Sequence, residues 1–184
     1  MSDQFWNSAA MEPKRNMKFV LYMNGIKSFI VKKVKRPSPS IGEAEHVYLG
    51  NKFYYPGIVS WEAIEITLVD IIDPNAAAKM REIIHNSGYS WIRPRNVDPK
   101  DLSTISKLKS VTSLGNITIE HINSNGDTVD TWKLINPWLK KVDFSELSYI
   151  NEDLSEITLT IRFDYATHED TERSTDLASA ARRI

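Results

Sequence analysis

A strict alternation of apolar and polar side chains near the carboxyl end constrains this fold more than any other feature. Across residues 156–165 every second residue is Ile, Leu, Phe or Tyr, and the intervening residues are Glu, Thr, Arg and Asp. Because successive side chains of a strand point to opposite faces, the pattern predicts a strand with one buried and one polar face. Residues 61–69 alternate in the same way. The two segments predict a sheet that covers a core on one side.

Short turn signals connect most of the other extended segments. Hairpins are predicted over residues 17–35, 38–57 and 116–134, and a further strand over residues 138–147. Asn24-Gly25 and Gly50-Asn51 supply the positive φ angles of two-residue turns in the first two hairpins. Neighbours joined by tight turns pair antiparallel.

One long helix is predicted between the strands. Asp73 is the expected N-cap, Pro74 suits the first turn, and Gly88 suits the left-handed backbone conformation that ends a helix. A short helix is expected at about residues 102–109. The fold class is therefore mainly β, an antiparallel β-sandwich or barrel with one flanking α-helix.

Composition and charge exclude several classes of function. The 184-residue chain has no cysteine, which excludes disulfides and thiolate metal sites, and its net charge is -1. A near-neutral chain lacks the excess of cations that phosphate-driven nucleic-acid binding requires. No apolar run approaches the roughly 20 residues of a transmembrane helix. Residues 1–15 lack the pattern of a signal peptide, so no membrane anchor is expected.

No motif for catalysis is present, and we predict no enzyme activity, no cofactor and no metal site. The four histidines are scattered over different elements, and neither HExxH nor GxSxG occurs. A basic run, residues 32–36, is typical of an edge strand whose lysines block aggregation. Trp91 and Glu45 are the candidates for an alternative of another class, a carbohydrate-binding or hydrolytic β-sandwich domain.

Composition divides the chain into three parts. Residues 1–16 form an N-terminal arm that carries Phe5 and Trp6, and Pro13 interrupts its apolar spacing. Residues 17–166 form the β domain. Residues 167–184 form a polar C-terminal tail without periodicity, expected to be mobile or to order only on a partner.

Two stretches resemble the tail tube proteins of contractile-tailed bacteriophages. One is WLKKVDFSELSY at residues 138–149, followed by DLSEITLTIRFDY at residues 153–165; the other runs from VKRPSPS at residues 34–40 through YPGIVSW at residues 55–61 to LVD at residues 68–70. The resemblance covers roughly residues 5–166. It implies a β-sandwich or barrel subunit, shared with type VI secretion tubes, that forms stacked hexameric rings around a DNA-sized channel.

The resemblance also implies partners and a location. They are further copies of the chain, the tail sheath, the baseplate and the tape measure protein, with double-stranded DNA passing through without specific binding. The location is the virion, after synthesis in the host cytoplasm. A baseplate or tube-terminating component of the same fold remains an alternative.

Two surfaces are predicted to carry this role. The polar strand faces should line the channel, with Arg162 as a lone cation, through Glu65, Thr67, Glu156, Thr158, Thr160, Arg162 and Asp164. The arm and the extended hairpin should make contacts between subunits and rings, through Phe5, Trp6, His46, Tyr48, Phe53 and Tyr54.

Overall fold

A computed structural model describes residues 14–73, 75–89, 104–150 and 152–170. These residues form ten strands and two α-helices. The strands are β1 (Phe19–Met23), β2 (Val31–Val34), β3 (Pro39–Tyr48), β4 (Asn51–Trp61), β5 (Ile64–Val69), β6 (Ile117–Ile122), β7 (Thr128–Ile135), β8 (Trp138–Phe144), β9 (Glu156–Arg162) and β10 (Tyr165–Asp170). The helices are α1 (Ala76–Asn86) and α2 (Lys107–Leu114).

Two four-stranded antiparallel sheets enclose the core. The first sheet has the order β1-β6-β7-β10 and the second has the order β2-β5-β9-β8. In the second sheet, Ile66 lies opposite Leu159, and both side chains are fully buried. The apolar rows of β5 and β9 therefore face inward, as the alternation predicted, and the mainly β, antiparallel fold class is confirmed.

The predicted hairpin over residues 17–35 is wrong. β1 pairs with β6 in the first sheet, and β2 pairs with β5 in the second. Gly25 does have a positive φ of 76°, but the chain then enters a 3-10 turn at Ser28–Ile30 and crosses to the other sheet. The local turn signal was correct, and the partner of each strand was set by distant segments instead.

The long hairpin over β3 and β4 is confirmed, with its turn one residue earlier than expected. Leu49 and Gly50 carry the positive φ angles, 49° and 78°, and Tyr48 pairs with Asn51. The two strands form a sheet of their own. They continue the β2–β5 pair outward, because Pro39 pairs with Trp61 just beyond the ends of β2 and β5. The hairpin over residues 116–134 is also confirmed, as β6 and β7.

The helices differ from prediction at their starts. Asn75, rather than Asp73, caps α1, because its side chain accepts a hydrogen bond from the Ala78 backbone N–H at 2.7 Å. Gly88 has the left-handed φ of 96° that was expected after the helix. The short helix begins at Lys107 rather than near residue 102, because the Ser106 side chain caps it. Residues 102 and 103 lie outside the described residues.

The final predicted strand is two strands in different sheets. β9 ends at Arg162, and β10 pairs with β7 in the first sheet. The alternation continues through the crossing because Phe163 stays buried in the core. Strand β10 extends to Asp170, so Thr167 to Asp170 belong to the β domain rather than to a tail that begins at residue 167.

Candidate assembly surfaces

The outward face of the second sheet brings six of the seven predicted channel residues together. Glu65 lies opposite Thr160 on neighbouring strands, and Thr67 lies opposite Thr158. The two threonine hydroxyls are 3.5 Å apart. Glu156 and Arg162 occupy the two ends of β9 on the same face, because they alternate with Thr158 and Thr160. The face is polar along two adjacent strands, as predicted.

Flanking strands add cations to this face, so the expectation that Arg162 is its lone cation is wrong. Lys33 of β2 lies opposite Thr67, and Lys141 of β8 lies opposite Thr160. Asp143 lies opposite Thr158, and its carboxylate is 2.5 Å from the Lys141 ammonium. Sequence analysis missed Lys33 and Lys141 because β2 and β8 are separated along the chain from the strands β5 and β9 with which they pair. The face is a mixed array of hydroxyls, lysines and acids.

Glu156 at the end of β9 is also paired. The Lys32 ammonium donates a hydrogen bond to its carboxylate. That hydrogen bond and the negative charge of Glu156 raise the pKa of Lys32 above its ordinary value. Both groups are in contact with solvent, so the pair contributes little to folding stability. Its effect is local: the Lys32 ammonium offsets the negative charge of Glu156.

Asp164 is the predicted channel residue that the structure places elsewhere. It follows the end of β9, where the chain crosses between sheets. Its carboxylate accepts hydrogen bonds from the Lys107 ammonium at 2.6 and 2.8 Å and from the Asn136 amide at 2.8 Å. These contacts, the one with Lys107 first, lower the pKa of Asp164 below its ordinary value. Asp164 therefore joins the start of α2 to the β7–β8 turn.

The hairpin separates its aromatic side chains onto two faces. His46 lies opposite Phe53, and Tyr48 is on the same face two residues along β3. Tyr55 also shares this face, and sequence analysis missed it. The fourth predicted contact residue, Tyr54, is on the other face, opposite Glu45. Phe5 and Trp6 lie outside the described residues.

The hairpin leaves an unusual amount of apolar side chain in solvent. Nine large hydrophobic residues between Pro39 and Trp61 are exposed. A two-stranded hairpin is marginal in water unless a third strand or a helix covers one face. Exposed apolar patches of this kind mark interaction sites in soluble proteins.

Solved structures of contractile particles match nearly the whole chain. A chain in the baseplate of the anti-feeding prophage has a TM-score of 0.63 at 12% identity, over 88% of this chain and 98% of its own. A chain in the tube-terminating cap of the same prophage has a TM-score of 0.59 at 16% identity, over 93% and 100%. A chain in the extended sheath-tube complex of the extracellular contractile injection system PVC has a TM-score of 0.58 at 17% identity, over 89% and 99%.

The chain has the tube-like fold of contractile injection systems. This confirms the fold that the resemblance implied. No protein-family model matches the sequence, and no curated protein does either.

On this tube-like fold, several polar side chains of the described residues form ion pairs, among them Lys32 with Glu156 and Lys141 with Asp143. Among the residues that the structure describes, no group of three His, Cys, Asp or Glu side chains is placed to hold a metal ion. Glu45 forms an ion pair with Lys52, and Trp91 lies outside the described residues, so the carbohydrate-site alternative gains no support. Within residues 14–73, 75–89, 104–150 and 152–170, no helix is long and apolar enough to span a bilayer.

Proposed function

We propose that this chain is a structural, non-enzymatic subunit that forms the stacked hexameric rings of a contractile phage tail tube. The observation that carries the proposal is the nearly full-length match to chains in the baseplate and the tube-terminating cap of the anti-feeding prophage and in the sheath-tube complex of an extracellular contractile injection system. The exposed apolar hairpin supports it, because a monomer gains nothing from holding these side chains in water.

Ring closure requires two different surfaces on each subunit, because a cyclic ring is built from heterologous contacts. The second sheet offers them: β2 and β8 lie at its opposite edges. In the proposed ring, β8 of one subunit lies beside β2 of the next, and the six sheets form one inner barrel. Joining the sheets also removes the exposed edges that invite unspecific strand addition.

The polar outward face of this sheet then lines the channel. Double-stranded DNA passes freely only when few cations on the wall neutralise phosphates, because each neutralised phosphate releases counterions and adds affinity. On this face Lys32 is paired with Glu156, and Lys141 with Asp143. Paired lysines attract phosphate less than free ones, so the mixed array suits a passive conduit in the virion.

Electron microscopy of the purified protein tests the proposal. We expect hexameric rings and stacked tubes in negative stain, and a monodisperse monomer at high concentration would contradict the proposal. A variant that lacks residues 1–13 should still fold but stack poorly. The deletion keeps Lys14, whose ammonium is 2.6 Å from the buried carboxylate of Asp130, so the β domain retains this contact. Tubes of normal length from this variant would exclude a stacking role for the arm.

A baseplate or tube-terminating component is the second candidate. Two of the matched chains, from a baseplate and from a cap, favour it. Copy number in purified particles separates the two candidates. The main tube protein is present in many rings, whereas a baseplate or terminating component is present in one or a few. Binding to the tail sheath, the baseplate and the tape measure protein belongs to the same proposal.

A further inference from the structure

A second apolar surface lies at the end of the molecule opposite the hairpin. The hairpin leaves the second sheet at the Ile64 end of β5. The loop between β8 and β9, residues 145–155, lies at the other end, because Phe144 pairs with Ile157 and Glu156 pairs with Val69. The two features are separated by the length of β5, about 20 Å for six residues.

This loop is closed at its base, yet it holds large apolar side chains outward. The Ser145 backbone N–H donates to the Glu156 carbonyl at 3.0 Å, and the Glu156 N–H donates to the Ser145 hydroxyl at 3.0 Å. Above this base, four large side chains are between 71% and 111% exposed: Leu147, Tyr149, Ile150 and Leu154. Compact surface loops normally pack on their own side chains. We call these four residues the loop patch.

We infer that the aromatic face of the hairpin of one copy docks on the loop patch of a copy in the next ring. The inference rests on the proposed function, and it adds the receiving surface that the hairpin needs. The two surfaces are at opposite ends of one sheet. A copy displaced along the strand direction therefore brings its loop patch towards the hairpin of the copy before it. Such a contact is heterologous and does not close, so it builds a stack.

Each of the two surfaces exposes an apolar area of the size that an interface requires. Tyr48, Phe53 and Tyr55 are 61%, 47% and 56% exposed, which leaves about 330 Å² in solvent at roughly 200 Å² per aromatic side chain. The loop patch exposes about 470 Å² when aliphatic side chains are taken as roughly 100 Å² each and Tyr149 as roughly 200 Å². A standard interface buries about 800 Å² per partner, of which about 450 Å² is apolar. One hairpin and one loop patch supply most of that apolar area.

Cysteine cross-linking tests the contact directly, because the chain has no cysteine of its own. Tyr48→Cys and Tyr149→Cys proteins, one of them carrying a size tag, are mixed, assembled and treated with a short bifunctional maleimide. We expect a mixed dimer as the main product. Leu108→Cys is the matched control, because Leu108 on α2 is a hydrophobic residue 77% exposed outside both surfaces. A mixed dimer of Leu108→Cys with Tyr48→Cys in equal yield would overturn the inference.

A second variant separates this inference from the proposed function. Tyr149→Glu combined with Ile150→Glu places two charges on the loop patch, and Leu108→Glu is its control. We expect rings of normal size whose tubes are at least several-fold shorter than those of the control. Full-length tubes would overturn the docking inference and leave the tube proposal standing. If the unmodified chain forms no rings or tubes under any condition, both proposals fail together.

Discussion

Replacing Leu159 with Ala tests the assignment of the inner and outer faces of β9, on which the proposed channel face depends. Leu159 is fully buried, between Ile66 and Val142 on the neighbouring strands. Removing a buried leucine side chain to Cβ costs about 3 kcal/mol, partly through lost burial and partly through the cavity that remains. In a chain of this size each kcal/mol lowers the thermal midpoint by about 2–4 °C, so we expect a decrease of about 6–12 °C.

The matched control is Thr160→Ala, one residue along the same strand. Thr160 faces outward beside Glu65 and is only partly buried, so the change should cost under about 1 kcal/mol. Both variants are measured by circular dichroism at one protein concentration, because assembly makes the midpoint depend on concentration. Equal losses in the two variants, or a larger loss for Thr160→Ala, would refute the face assignment.

Three further changes test individual contacts. Asp164→Asn should lower the free energy of unfolding at neutral pH. Folding lowers the pKa of Asp164, so the ionised carboxylate stabilises the fold at pH values above its ordinary pKa of 3.8. This stabilisation is lost as the pH falls from 3.8 through the lower folded-state pKa. Thermal midpoints of variant and parent should therefore converge at acid pH, and a constant difference would contradict the contact with Lys107. Gly88→Ala should cost at least about 1 kcal/mol more than Gly50→Ala in urea titrations. Both glycines have positive φ, but only at Gly88 would the new Cβ lie 2.8 Å from a backbone oxygen, that of Thr104; equal costs would argue against this close approach. Thr158→Lys with Thr160→Lys should retard DNA passage by adding about 12 cations to a six-subunit ring, and unchanged ejection kinetics in assembled particles would exclude this face from the channel.

Local patterns predicted most of the strands correctly because they depend on near neighbours. The alternation along β5 and β9 gave the buried rows, and the hairpin of β3 and β4 followed from two extended segments around a glycine turn. Both signals act over a few residues. The mainly β, antiparallel fold class therefore follows from the sequence alone.

The errors concern which sheet a strand joins. Residues 17–35 contain a correct turn signal, yet β1 and β2 belong to different sheets. The alternation from Glu156 to Tyr165 runs unbroken across the change from β9 to β10. An alternation of period two shows which side of a strand is buried. Strands of both sheets of a sandwich alternate in the same way, so the pattern does not show which sheet a strand joins. The choice of sheet depends on contacts made by residues far along the chain.

The candidate site was predicted in part for a related reason. Glu65 and Thr160 were assigned to one polar face from the alternation of their own strands. Lys33 and Lys141 join that face only through pairing with β5 and β9, which no local pattern reveals. The loop patch was missed because Leu147 was assigned to the strand predicted over residues 138–147, which ends at Phe144 in the structure, and the other three residues lie in a connection without periodicity.

The side edges of the second sheet and its two ends expose different kinds of surface, which bears on how the proposed tube would assemble. Both edges of the second sheet carry lysines and an irregular register, between Val31 and Lys33 on β2 and between Leu139 and Lys141 on β8. Bulges and edge lysines oppose the addition of an arbitrary strand, so these edges admit only a partner shaped to fit them. The ends of the same sheet are different, because the hairpin and the loop patch expose large apolar side chains there. In the proposed tube, lateral contacts would therefore be selective and axial contacts adhesive, so that subunits which close into rings of fixed size could still stack without a set limit.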